Sequence, residues 1–265
     1  TAPVHYCKES RFGPYWSVTR YQDILAIERD PELYSSASGF SFVDVSDELG
    51  RSMMRSDPPE NLKKRRPAEK MMTASGVGDL ETLARERVIK ALDGLPQGTA
   101  FDWAETVAQR LTIEMLATML GVPMGMTSHL QEWGSLASTL PAKGEVVETL
   151  KEYNERLSGC YGYFLNEWKL KKEIAKSFDL ISMLAHDPTA REWSDEEFLA
   201  NLLVLVIAGN DTTRHSITAG VLFLDENPEQ RELLYAKPSL VNRAISEIIR
   251  YLSLIHISEP TRPER

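Results

Sequence analysis

Several things are scarce in this chain, and each scarcity removes a class of protein. Cysteine occurs only twice among 265 residues, at Cys7 and Cys160. That is too few for the disulfide framework of a small secreted domain, and it suits a reducing, cytoplasmic compartment. Basic residues are outnumbered: 30 Lys and Arg face 39 Asp and Glu, a formal net charge of -9. Such a surface repels phosphate backbones, so nucleic acid is not expected as the main partner. The apolar run Leu202–Gly209 has 8 residues, far short of the roughly 20 that cross a bilayer. No signal peptide, internal repeat or low-complexity tract is visible. His5, His129 and His186 stand alone, without metal-ligand spacing. No nucleophile elbow of a helical hydrolase is found. What remains is 42% apolar and 26% charged, the composition of a globular chain with an ample core, in one large domain or two small ones.

The most informative stretch is Leu202–Ser216, LLVLVIAGNDTTRHS. Leu199, Leu202, Leu203 and Val206 recur at helical spacing, and Ile217, Val221 and Leu224 resume the rhythm beyond a polar patch. Ser194-Asp-Glu-Glu197 is a capping box and Asn227-Pro228 a stop. These signals predict one central, buried helix of about 32 residues, roughly 48 Å long. Its midpoint, Gly209-Asn-Asp-Thr-Thr213, breaks local rules, since Gly costs about 1 kcal/mol inside a helix. A buried Thr212 can bond the carbonyl of Ala208 and bend the helix. The small Ala208 and Gly209 would admit a flat, bulky group against the backbone. A functional site fits this conflict, and so does a polar kink satisfied by neighbouring helices.

Elsewhere, Tyr15-Trp-Ser-Val-Thr19 alternates as a strand and residues 1–20 read as β. Tyr21–Asp30 is helical. Residues 35–50 form a loop on which Phe40 and Phe42 either line a ligand entrance or plug the core. Asp57-Pro-Pro-Glu60 starts a helix with Asp57 as cap and the prolines in its first turn. Asn61-Leu-Lys-Lys-Arg-Arg66 follows, a basic cluster that is either a solvated face or an anion or partner site. Helical patterns cover Asp79–Leu95, Phe101–Leu120 (stopped by Gly121), Leu130–Leu140, Glu145–Leu170 and Phe178–Leu184. Trp133, Tyr153, Tyr161, Tyr163 and Trp168 read as core. Pro228–Leu234 and Leu240–Tyr251 are further helices, the last with Ile245, Ile248 and Ile249 buried and Glu247 and Arg250 three apart. The architecture expected is mainly α with a small N-terminal β region. The first residues lack Met and suggest a truncated start. Residues 252–265 lose all periodicity and look like translated adapter read-through, so they are set aside as a non-native tail.

Together these pieces resemble a cytochrome P450. Ala208-Gly-Asn-Asp-Thr-Thr213 matches the family's central helix with its acid–alcohol pair, Asp211 and Thr212. Glu247-Ile-Ile-Arg250 matches E-x-x-R, and Asp57-Pro-Pro-Glu-Asn-Leu-Lys-Lys-Arg65 matches a bacterial D-P-P-E-H-T-x-x-R segment. Tyr15–Tyr21 and Asp179–Leu184 also fit bacterial members. The resemblance covers residues 1–251, about the first two thirds of a typical catalytic domain, and implies an incomplete P450 fold. Gly209–Arg214 and Phe101-Asp-Trp103 are most similar to the branch that hydroxylates terminal methyl groups of alkanes and fatty acids.

The resemblance implies a haem-thiolate monooxygenase that uses haem b, O2, a small apolar substrate, and electrons from a ferredoxin and its reductase. Asp211 and Thr212 would handle protons. Asn61, where the family has His, and Arg65 would hold a haem propionate, while Ala208 and Gly209 would face the iron. Val204, Ile207 and Ala208 would face substrate. Glu247 and Arg250 would lock the core, and Lys63, Lys64 and Arg66 would dock ferredoxin. The family's ligand cysteine follows E-x-x-R on a Gly-rich loop, which neither Cys7 nor Cys160 matches, so this polypeptide is expected to lack the axial thiolate and to be inactive alone. A non-catalytic helical ligand-binding or scaffold domain is the alternative.

Overall fold

The alternating N-terminal residues form a two-stranded ribbon. The structure is a computed structural model and describes residues 2–10, 13–39, 50–69, 71, 73–139 and 146–252. Strand β1 (Val4–Cys7) pairs antiparallel with β2 (Tyr15–Val18), Tyr6 opposite Trp16. Their rings lie 4.9 Å apart, a cross-strand aromatic pair of the kind that stabilises short ribbons.

The elements that follow in the described residues are helical. They are α1 (Tyr21–Glu28), α2 (Glu60–Glu69), α3 (Ala74–Asp93), α4 (Arg110–Leu120), α5 (Thr127–Ala137), α6 (Leu150–Glu173), α7 (Leu180–Ala185), α8 (Asp195–Glu226), α9 (Pro228–Ala236) and α10 (Val241–Leu252). A π-helical segment, Ala104–Gln109, runs straight into α4. The main core lies where α4, α5, α6, α7 and the first half of α8 meet. Leu120, Leu130, Leu157, Phe164, Ile181, Leu202 and Val206 are buried there. Trp168 and Phe198 stack at 4.3 Å with rings 2° from parallel, which ties α6 to α8. Trp133 and Trp168 are buried in this core, with Tyr153, Tyr161 and Tyr163 packed against it.

Local sequence chemistry sets the helix ends. Ser194 and Glu197 bond reciprocally, side chain to backbone, at 3.2 and 3.4 Å, and start α8. Gly121 ends α4 at φ 71°. Its place cannot take a side chain, because a Cβ would fall 2.5 Å from Asp179 Cγ and onto Lys171. Those two residues form a buried ion pair at 2.6 Å, and Asp179 also caps α7 through the Ser182 N–H at 2.8 Å.

Several sequence expectations are corrected. Helix α2 begins at Glu60, and both prolines lie in the turn before it. Asp57 does not cap α2 with its side chain. Its carboxylate instead accepts from the Ser35 hydroxyl and from the Ser36 N–H at 2.8 Å, and those bonds hold it below the usual carboxylate range. Lys64 is buried rather than solvated; it donates to the Arg51 carbonyl and sits 3.2 Å from Glu197. Ile245 and Ile249 are 50% and 54% exposed, and Ile248 is half-buried, where burial of all three was expected. Helix α8 has the predicted length but is buried mainly in its first half. Beyond Val206 the face carrying Ala208, Thr212 and His215 is open. Phe40, Phe42 and residues 253–265 lie outside the described residues.

Candidate functional site

The polar patch of α8 divides into two neighbouring stripes, set by the helix period. Ala208, Thr212 and His215 are exposed on one stripe, while Ile207, Asp211 and Arg214 are half-buried on the next. On the open stripe, Thr212 Oγ1 donates to the Ala208 carbonyl at 2.6 Å, and Ser216 Oγ donates to the Thr212 carbonyl at 2.9 Å. Thr212 thus makes the back-bond its sequence position predicts, and its hydroxyl oxygen still has lone pairs to accept with.

Asp211 lies on the packed stripe. Its Oδ2 accepts from Ser138 Oγ at 2.8 Å. Its Oδ1 is 2.9 Å from Arg214 Nη2, close enough for an ion pair although the angle is not that of a hydrogen bond. The short distance marks this as a Coulombic contact. The Arg214 partner, three residues on, is a standard helix pairing that was visible in the sequence. Ser138, 73 residues away, was not.

Gly209 and Asn210 serve packing between helices. A Cβ on Gly209 would fall 2.9 Å from Leu116 Cδ1, so glycine here lets α4 approach α8. Asn210 is 1% exposed, and neither side-chain polar atom has a partner. It lies against Gly134 of α5, where a Cβ would come 2.6 Å from its Nδ2. Neither closeness is legible from α8 alone.

A cavity of about 470 Å³ opens between α3, α4 and α8. Val88, Leu111, Met115, Leu205, Ala208 and Thr213 are among its lining residues, which are almost wholly apolar. Of the residues expected to face substrate, Ala208 lines this cavity. Val204 and Ile207 are half-buried and lie outside its lining, Ile207 being packed against the main core.

Asn61 and Arg65 are separated from these residues in sequence and sit one turn apart on α2, which packs on α7 and on the turn Met53–Arg55. Arg65 is exposed, its Nε 3.9 Å from Glu69. Asn61 Oδ1 is buried without a partner. An amide turned the other way would present a donor beside the guanidinium. That pair suits an anionic group such as a propionate, so the residues present fit the haem that the resemblance implies. Glu247 and Arg250 form a two-pronged pair on α10, at 2.6 and 2.7 Å. Cys160 is buried in α6, where desolvation pushes its thiol up to about 12, and Cys7 lies in β1.

Among the described residues no group of His, Cys, Asp and Glu could hold a metal ion, and no helix is long and apolar enough to cross a membrane. No protein-family model matches the chain. It is 31% identical over 268 residues to putative cytochrome P450 126 of Mycobacterium tuberculosis, covering 95% of this chain and 64% of that protein. It is 25% identical to a methyl-branched lipid omega-hydroxylase of Mycobacterium tuberculosis, covering 90% of this chain and 57% of that one. Its structure superposes on CYP153D17 from Sphingomonas sp. PAMC 26605 with a TM-score of 0.84 and 37% identity, over 95% of this chain and 64% of that one. The chain thus spans slightly less than two thirds of the length of these relatives.

Proposed function

Because the chain belongs to the cytochrome P450 family over nearly its whole length, we propose that it is the larger part of a haem-thiolate monooxygenase. The reaction inserts one oxygen atom of O2 into an apolar substrate, by terminal hydroxylation of an alkane or fatty-acid chain. The observation that carries this reading is the Thr212 hydroxyl bonded to the Ala208 carbonyl at 2.6 Å on the open face of α8, with Asp211 beside it. The omega-hydroxylase relative supports the substrate class.

When bound, haem b supplies the iron chemistry that splits O2, with a cysteine thiolate pushing electron density towards the metal. Cys160, held neutral in the core of α6, does not supply that thiolate. Arg65, with Asn61 one turn away on α2, would hold a haem propionate. Ala208, small and exposed, would leave room against the helix backbone for the bound group. Thr212 holds and passes a proton at Oγ1, and Asp211 brings protons from solvent as a general acid. Glu247 and Arg250, paired on α10, would lock the core that carries the bound group. Lys63 and Arg66, both exposed, dock an acidic ferredoxin, which its reductase supplies with electrons; Lys64 is engaged elsewhere. The two free thiols suit a cytoplasmic setting.

The test is Thr212→Ala in the haem-loaded protein at the full length of its relatives. Product formed per electron consumed should fall by about tenfold, less than the roughly 100- to 10,000-fold that positioned proton transfer can contribute, because water can stand in for the lost hydroxyl. Unchanged yield per electron would remove Thr212 from the mechanism.

A further inference from the structure

Arg87 of α3 takes no part in the preceding mechanism, yet its guanidinium is closely held, with the side chain 15% exposed. Nη1 donates to the Glu114 carbonyl at 2.5 Å and to Met115 Sδ at 3.5 Å. Nη2 donates to Thr118 Oγ1 at 2.6 Å and to Met124 Sδ at 3.9 Å. The Glu114 carboxylate lies 3.8 Å from Nε. Each terminal nitrogen therefore faces one oxygen and one thioether sulfur. Through these contacts a single side chain joins α3 to α4 and to the turn Met124–Met126 that leads into α5.

The two sulfurs differ in access. Met115 is half-buried and lines the cavity between α3, α4 and α8, whereas Met124 is 45% exposed. A thioether is a weak acceptor, so the Nη2 contact to Met124 at 3.9 Å contributes little to the clamp. Oxidation changes the acceptor. A sulfoxide presents a polar oxygen, and a bond to it from a permanently charged guanidinium is charge-assisted. Methionine oxidised inside a core loses its packing. At this exposed place it gains a partner instead.

We propose that Met124 is a modification site for hydrogen peroxide, and that Arg87 captures the sulfoxide formed there, tightening the join between α3 and the turn before α5. The sulfur gives an electron pair to one peroxide oxygen. The O–O bond breaks, an S–O bond forms, and both peroxide hydrogens leave on the other oxygen as water. Sulfur is oxidised by two electrons and the peroxide is reduced by the same two. The unbranched methionine side chain can turn to set the new oxygen against Nη2, and methionine sulfoxide reductases reverse the change.

The test doses the haem-loaded, full-length protein with hydrogen peroxide below the level that bleaches the haem, and stops the reaction with catalase. Peptide mass spectrometry reads the oxygen added at each methionine. Met54, 42% exposed on the turn Met53–Arg55, is the control for exposure alone. Met124 should be oxidised at least as far as Met54. The urea midpoint is then compared before and after peroxide in the native chain, in Met124→Leu and in Arg87→Gln. The shift in the native chain should lie above that of either variant by about 0.3 M, and methionine sulfoxide reductase should remove the difference. Met54 oxidised with Met124 intact would overturn the site. A native shift no higher than that of Met124→Leu, or matched by Arg87→Gln, would overturn the capture. Met124→Leu leaves the oxygen contacts of Arg87 in place, so the comparison stands even where Arg87→Gln does not fold.

Discussion

Cys160 shows what burial does to a single ionisable group. Desolvation in α6 raises its thiol from 9.0 to about 12, and the Tyr153 phenol from 10.0 to about 12. Above pH 9 the unfolded chain sheds the thiol proton while the folded chain keeps it, so the unfolded state binds fewer protons and gains as pH rises. The stability involved is complete below pH 9 and declines through the window from about 9 to 12, by about 1.4 kcal/mol per pH unit for one group. Urea midpoints measured from pH 8 to 11 should fall from about pH 9 upward. In Cys160→Ala the fall should begin nearer pH 10, where Tyr153 takes over. A midpoint independent of pH in the native chain would contradict the burial of both groups.

At the scale of elements, the crossing of α5 and α8 depends on what is missing at Gly134. A Cβ there would meet Asn210 at 2.6 Å, and Asn210 is buried with its amide unpaired. Gly134→Ala should cost about 1–3 kcal/mol by overpacking. Most of that should return in Gly134→Ala/Asn210→Ala, which removes the obstruction and the unpaired polar group together. Two costs that simply add, read from denaturant midpoints, would show that the crossing does not pivot on this contact. The length of α8, its capping box and the Thr212 back-bond were legible from local spacing, because they depend on residues three or four apart. Ser138 beside Asp211 and Gly134 against Asn210 were not, since both belong to α5 or its C-cap and nothing in α8 encodes its neighbours. Lys64 misled for the same reason. A lysine inside a basic run reads as solvated until Glu197, far along the chain, is brought beside it. Ile245 and Ile249 misled in the opposite sense, for their spacing marks an apolar face but not what covers it.

At the scale of the whole molecule, an acidic chain of net charge -9 carries a local basic face on α2. Lys63 is paired with Glu60 at 2.6 Å, but both are more than half exposed, so that pair is worth little and can be exchanged for a partner's carboxylate. In the full-length protein, Lys63→Glu with Arg66→Glu should slow reduction by ferredoxin about tenfold or more at low ionic strength, and the difference should shrink as salt rises. Equal rates at every ionic strength would leave the face simply solvated.

The π-helical segment Ala104–Gln109 has a consequence for how the sequence tolerates change. It enters α4 without interruption, and a π-turn holds one residue more than an α-turn. Loss of a single residue within it would let an unbroken α-helix form while the residues upstream keep nearly their bearing on α4, because the wide turn already absorbs that extra residue. Trp103 would stay against the small cluster of Ala91, Val107 and Leu111 that it packs on. A one-codon deletion is therefore a milder lesion in this segment than in a regular helix, where it would turn one side by about 100° against the other.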